Sequence, residues 1–345
     1  ALPEQPQLPA RALMHGVRAT ATAGMLLAML VMLGFGHGTA LAAPFAYITN
    51  QGSHDVTVID LATQQVLSTV PVGRSPAGVV ASSRAGKVFV SNPDSKTISV
   101  IDMRQQRVVD TLAAGDGPVG IDASADGGWL FVADWYASRL LVYKLHATSA
   151  PPDVFAVDVG RAPAGVAAHP AGRHVFVAER DDDSVAVVGL TARRVLSRVK
   201  VGTHPFALLF DERRERLYAL NVQSDDVSVI DLRDIDRPAV IATIKVGKAP
   251  YGAALASDGA LLYVSNQHED SVSVIDTASL RVLRTLGGFG YPEGVASSGD
   301  QVYVVNWMDD NVSVLDAVSG QRLRTIATGR NSRGFGAFIG APQAP

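Results

Sequence analysis

Cysteine is absent from the 345 residues, which excludes a disulfide framework, a thiolate metal site, a covalently attached haem and a lipid-modified N-terminal cysteine. Stability must come from packing. Aromatic residues make up 6% and charged residues 18% of the chain, against 47% hydrophobic. That balance excludes a disordered chain and calls for a core of small β-branched side chains. Neither charge sign dominates: the formal net charge is −3, and removing residues 1–42 takes away Glu4, Arg11 and Arg18 and leaves −4. A broad electrostatic field for nucleic acid is therefore not expected.

Long apolar runs are also scarce. The run from Ala23 to Phe35 is too short to span a bilayer comfortably. Arg18 precedes it, and small residues ending in Ala40-Leu41-Ala42 follow it, so residues 1–42 read as a signal peptide cleaved after Ala42 in preference to a retained anchor, and membrane contact is expected only through this segment if it stays uncleaved. A periplasmic or extracellular location is expected. The Pro-rich stretch before Met14 resembles no targeting element, which makes Met14 an alternative start.

What the chain does contain is internal repetition, the feature to seek before any local reading. The strand Tyr47-Ile48-Thr49-Asn50 recurs in segments ending at Asn92, Asp134, Glu179, Asn221, Asn266 and Asn306. A second marker, Val56-Thr57-Val58-Ile59-Asp60, recurs in segments ending at Asp102, Lys144, Gly189, Asp231, Asp276 and Asp316. Seven copies at a spacing of 40–45 residues result. Each second marker is followed by a turn, a strand closed by glycine (Val66–Val72 with Gly73) and a segment opening with Pro-x-Gly (Pro76-Ala77-Gly78). Period-two alternation and Asp-Gly turns such as Asp126-Gly127 and Asp258-Gly259 make these four strands per unit. No stretch after residue 42 reads as a helix.

A four-stranded unit at that spacing matches a propeller blade, and repetition lets one domain outgrow the usual limit for a single core. The fold expected for residues 45–340 is all-β: one seven-bladed β-propeller with four antiparallel strands per blade, followed by a disordered tail at 341–345. The strands quoted above resemble the YVTN family of propeller repeats over nearly all of residues 45–340. The resemblance, which includes YncE-like exported proteins, implies the same fold and location and says little about function.

The register shows how the ring closes. The first copy begins at its second strand, Phe45–Asn50, and lacks an inner strand. Ser332-Arg333-Gly334 stands at the Pro-x-Gly position, so Phe335–Ile339 is expected to supply that strand, pairing N- and C-terminal segments in one blade.

Function is sought on the rim with the more varied loops. Between each closing glycine and the next Pro-x-Gly stand Arg74, Asp116, Arg161, His204, Lys248, Tyr291 and Arg330, a basic collar suited to an anionic ligand or else a set of solvated cations. The middle residues of Pro-x-Gly are Ala77, Val119, Ala164, Phe206, Tyr251, Glu293 and Arg333. Tyr251, Glu293 and Arg333 lie on successive blades, as a polar handle for a ligand or as a structural ion pair. Trp135, Tyr136 and Trp307 fall in long loops, where exposed aromatics contact partners, although packing on a neighbouring loop competes. The marker asparagines are expected to bond the nearby turn backbone. Asp181-Asp182-Asp183 lacks the alternate spacing of a calcium loop.

Catalytic signatures are missing. Neither Gly-x-Ser-x-Gly nor His-Glu-x-x-His occurs. Residues 43–345 contain six histidines, too few for a multicopper cluster, and the three tryptophans of the chain do not suit a quinone enzyme. A lactonase-like hydrolase would need only Glu293, His204 and Arg333. The expected function is thus a non-catalytic, cofactor-free binding or scaffold propeller of the cell envelope, a monomer that holds an anionic small molecule, glycan or protein segment. Hydrolysis and nucleic-acid binding through the collar are the alternatives.

Overall fold

A computed structural model of the protein describes residues 44–146 and 150–342. The segment read as a signal peptide and the last three residues of the expected tail lie outside the described residues. Among those described, the strands form seven four-stranded antiparallel sheets. Six blades are built from consecutive strands and open with the inner strands Val79–Ser82, Pro118–Ala123, Pro163–Ala168, Pro205–Asp211, Pro250–Ala256 and Pro292–Ser298. Successive inner strands lie side by side around the ring.

The seventh blade is composite. Phe45–Asn50, Asp55–Asp60 and Gln65–Pro71 are joined by Ile339–Gly340, which pairs antiparallel with Phe45 and Ala46. Closure thus joins the terminal segments as expected, but the closing strand is broken rather than continuous over Phe335–Ile339. Gly334 and Gly336 adopt φ of +64° and +120°, a region open to glycine and strained for other residues. These two turns let the segment face both ways. The amides of Val79 and Ala81 in the next blade donate to the carbonyls of Phe335 and Ala337, while Tyr47 N donates to Phe338 O.

Face-to-face stacking of blades explains the residue pattern. The two middle strands of each blade are buried on both faces, while the outer strand, such as Gln65–Pro71, is largely exposed. The first residue of the first marker is the large core residue of every blade: Tyr47, Phe89, Phe131, Phe176, Tyr218, Tyr263 and Tyr303, each at most 2% exposed. Tyrosine occurs where its hydroxyl meets a partner, since a buried phenol without one is costly. Tyr263 Oη donates to Ala317 O at 2.9 Å, Tyr303 Oη donates to Gln301 Oε1 at 2.7 Å, and Tyr47 Oη accepts from Gln106 Nε2 at 3.2 Å. Burial pushes the Tyr47 and Tyr303 hydroxyls up to about 12.

The Pro-x-Gly glycine sets blade spacing. A β-carbon at Gly120 would stand 1.9 Å from Ala164 O, and one at Gly252 would stand 2.2 Å from Glu293 O, both in the following blade. Only glycine admits that approach.

Candidate functional site

The marker polar residues brace the loop rim. Asn266 Nδ2 donates to Ser271 Oγ at 3.0 Å and Ser273 Oγ at 2.9 Å, and its Oδ1 accepts from Gly247 N at 3.1 Å. Asn50, Asn92, Asn221 and Asn306 repeat the two side-chain donations, to residues five and seven positions on. These asparagines therefore tie their strand to the next strand through side chains, and Asn266 also bonds the nearby turn backbone, as expected. Where the marker is acidic, an arginine joins it: Asp134 pairs with Arg139 at 2.9 Å, in the place of the hydroxyl, and Glu179 pairs with Arg198 at 2.9 Å while still accepting from Ser184 Oγ at 2.7 Å.

The collar residues follow the same logic. Arg74 Nη2 donates to Asp94 O at 3.0 Å and Arg330 Nη2 to Gly52 O at 3.0 Å. Arg161 donates to Asp181 O at 2.6 Å and pairs with Asp182 at 2.8 Å, which holds its guanidinium above the usual range. Each is exposed and reaches the turn of its own blade. Lys248 is exposed, and its backbone N donates to Glu269 Oε2 at 2.8 Å. His204 is half-buried, with its backbone N donating to Asp183 Oδ1 at 2.9 Å. Asp181, Asp182 and Asp183 are thus engaged with Arg180, Arg161 and His204. Among the described residues no group of three or more carboxylates or imidazoles converges as a metal site.

At the centre, the middle residues of Pro-x-Gly build a plug. Arg333 Nε donates to Glu293 Oε2 at 2.7 Å, and its Nη2 donates to Tyr251 Oη at 2.5 Å. Gln267 Nε2 donates to Glu293 Oε1 at 2.8 Å. The Glu293 side chain is 2% and that of Arg333 18% exposed. Burial pushes the Glu293 carboxyl upward against the pull of Arg333, and the facing carboxylate holds the guanidinium above its usual range.

Aromatic rings complete the closure. Phe206 lies 4.6 Å from Tyr251 and 5.0 Å from Phe335, centroid to centroid. Trp135, from a blade two positions back, reaches Phe206 at 6.2 Å and carries the Arg180 guanidinium 5.6 Å above its ring. Trp135 and Trp307 are half-buried rather than exposed. Trp307 packs on Tyr291 at 5.6 Å and donates from Nε1 to Gln51 Oε1 at 3.3 Å. Tyr136, by contrast, is 78% exposed, and Met308 is 63% exposed. The structure therefore joins Tyr251, Glu293, Arg333 and Trp135 at the mouth and leaves the collar distributed around it.

With seven blades closed by Ile339–Gly340, residues 81–173 and 171–343 match the sequence model of the YNCE-like beta-propeller family. The chain belongs to that family. No curated protein matches it. Among solved structures, this YncE-like propeller is similar to the Kuenenia stuttgartiensis hydrazine synthase, with 18% identity over 84% of this chain and 99% of that one, and a TM-score of 0.68. A functionally unknown protein from Desulfotomaculum acetoxidans aligns at 13% identity, 87% and 99% coverage and a TM-score of 0.72. Dihydro-heme d1 dehydrogenase NirN, in complex with DHE, aligns at 16% identity, 85% and 74% coverage and a TM-score of 0.65. At such identities the likeness is one of fold.

Three features escaped the sequence reading. Gln267 and Phe335 complete the plug. Behind it a central cavity of about 500 Å³ runs along the inner strands, past Val166, Leu209, Ala254 and Val295, and includes Asp122. The signal for Asp122 was available: two positions after the Pro-x-Gly glycine, or after Ala207 that stands in its place in one copy, the chain carries Val80, Asp122, Ala167, Leu209, Ala254, Ala296 and Gly336, a single charge in an apolar column.

Proposed function

We propose that this propeller is a non-catalytic binding protein of the cell envelope that receives a partner polypeptide on the loop rim, over the plug. The observation that carries this reading is the aromatic platform: Trp135 leans across the mouth onto Phe206, with Tyr136 78% exposed beside it. Aromatic side chains anchored from below and open above are the commonest dominant contacts in protein interfaces. A small anion gripped by Arg333 is the weaker version, because that guanidinium is already committed to Glu293 and Tyr251. The same pairing disfavours lactone hydrolysis, which would need Glu293 or Arg333 available to a substrate. Export rests on Arg18, the Ala23–Phe35 run and Ala40-Leu41-Ala42.

The test compares envelope proteins retained by the unaltered chain with those retained by Tyr136→Ala and Trp135→Ala, followed by titration of the purified partner. A partner lost from both variants, with affinity reduced by about tenfold or more, supports the proposal. Equal retention by all three would sink it. Cell fractionation with N-terminal sequencing tests export: a periplasmic or secreted chain beginning at Ala43 is expected, and a cytoplasmic chain retaining residues 1–42 overturns it.

A further inference from the structure

The cavity behind the plug is independent of the loop rim and has its own chemistry. Its volume of about 500 Å³ falls in the range of small-molecule sites. Its walls are inner-strand residues of five blades, largely apolar, with Phe335 contributing from the closing segment. Each of these five inner strands pairs within its sheet on one side only, so its other edge turns backbone N–H and C=O groups toward the channel. The charges along this lining are of one sign. Asp122 and Glu212 line the cavity, and no Lys, Arg or His does.

Asp122 is poised within it. Its Oδ1 accepts from Ala123 N at 2.8 Å and its Oδ2 from Ala168 N of the next blade at 2.8 Å. These bonds fix the carboxylate and leave each oxygen a further lone pair. Desolvation, opposed only by those two amides, pushes the carboxyl up to about 6. Glu212 is exposed.

We propose that the channel behind the plug binds a small organic cation, an ammonium group on an apolar body, with Asp122 as its counter-ion. The ammonium takes the open lone pairs of Asp122 and strand-edge carbonyls. The apolar body lies against Val166, Leu209, Ala254 and Val295.

Calorimetric titration of the full chain with phenethylamine, its neutral isostere 2-phenylethanol and the anion 3-phenylpropionate tests this. Saturable binding of the amine, weaker binding of the alcohol and none of the acid are expected. Asp122→Asn should weaken the amine by about 10- to 100-fold, the worth of a charge-assisted hydrogen bond. No saturable amine binding, equal binding of the acid, or an unchanged affinity in the variant would each overturn the proposal. Should the variant fail to fold, the unaltered chain still decides: the NMR titration midpoint of the Asp122 carboxyl must fall when phenethylamine is added. A midpoint that stays in place refutes the site.

Discussion

Replacing Arg333 by methionine removes the charge that faces Glu293 while retaining most of the side-chain volume. Glu293 is 2% exposed and would keep one donor, Gln267 Nε2 at 2.8 Å, of the two residues that now serve it. Breaking a buried pair from one side typically costs about 3–5 kcal/mol, because the remaining charge is neither hydrated nor paired. The loss should lie at the upper end, since Tyr251 Oη also loses its partner. Urea unfolding followed by tryptophan fluorescence reads the change as a lower midpoint at constant slope. The pH dependence identifies the cause. Burial already raises the folded-state pKa of Glu293, and losing Arg333 raises it further. A raised folded-state pKa means that stability is lost as pH rises through it. The deficit of Arg333→Met should therefore be full at neutral pH and shrink on acidification toward the ordinary glutamate range. Glu293→Leu/Arg333→Met, with no orphaned charge, should recover most of it. A deficit under about 1 kcal/mol, or one that ignores pH, would refute the plug as described.

Other outcomes follow from the same packing. Gly247→Ala places a β-carbon 2.6 Å from the Asn266 side chain and should cost about 1–3 kcal/mol by overpacking, measured by urea unfolding. Phe338→Ala empties a fully buried position in the closing segment and should cost about 3–5 kcal/mol; near-neutral unfolding data would contradict the closure. Asp122 has a folded-state pKa of about 6, above its ordinary value, so the unaltered chain should lose stability relative to Asp122→Asn as pH rises from about 4 to about 6. Thermal unfolding of both across that range checks the sign. Tyr136→Ala, at an exposed position, should leave stability within about 0.5 kcal/mol while impairing the partner contact.

Much of the fold was legible because repetition averages out local ambiguity. Seven occurrences of an aromatic core residue before a polar marker, each followed by a second strand that ends in Asp in five copies, left one architecture. Closure was readable from Ser332-Arg333-Gly334 standing in the Pro-x-Gly column. What escaped depended on where side chains go once neighbours surround them. Arg74 and Arg330 look like free collar cations in the sequence but spend a donor on turn carbonyls of their own blades. Trp135 packs on Phe206, some seventy residues away, through curvature of the ring rather than adjacency of repeats. The break at Gly334 and Gly336 arises because one short segment must satisfy two blades at once. The cavity belongs to no residue in particular, and the lone carboxylate in its column was the only trace.

The central claim, that the loop rim carries the binding function, is tested most directly by a photo-crosslinking amino acid at position 136 of the full chain, expressed in its own cells. The same amino acid at Leu283, which is 54% exposed on an outer strand, serves as control. A discrete crosslinked partner from position 136 and none from 283 is predicted. No adduct at 136, or the same adducts at both positions, would contradict the account.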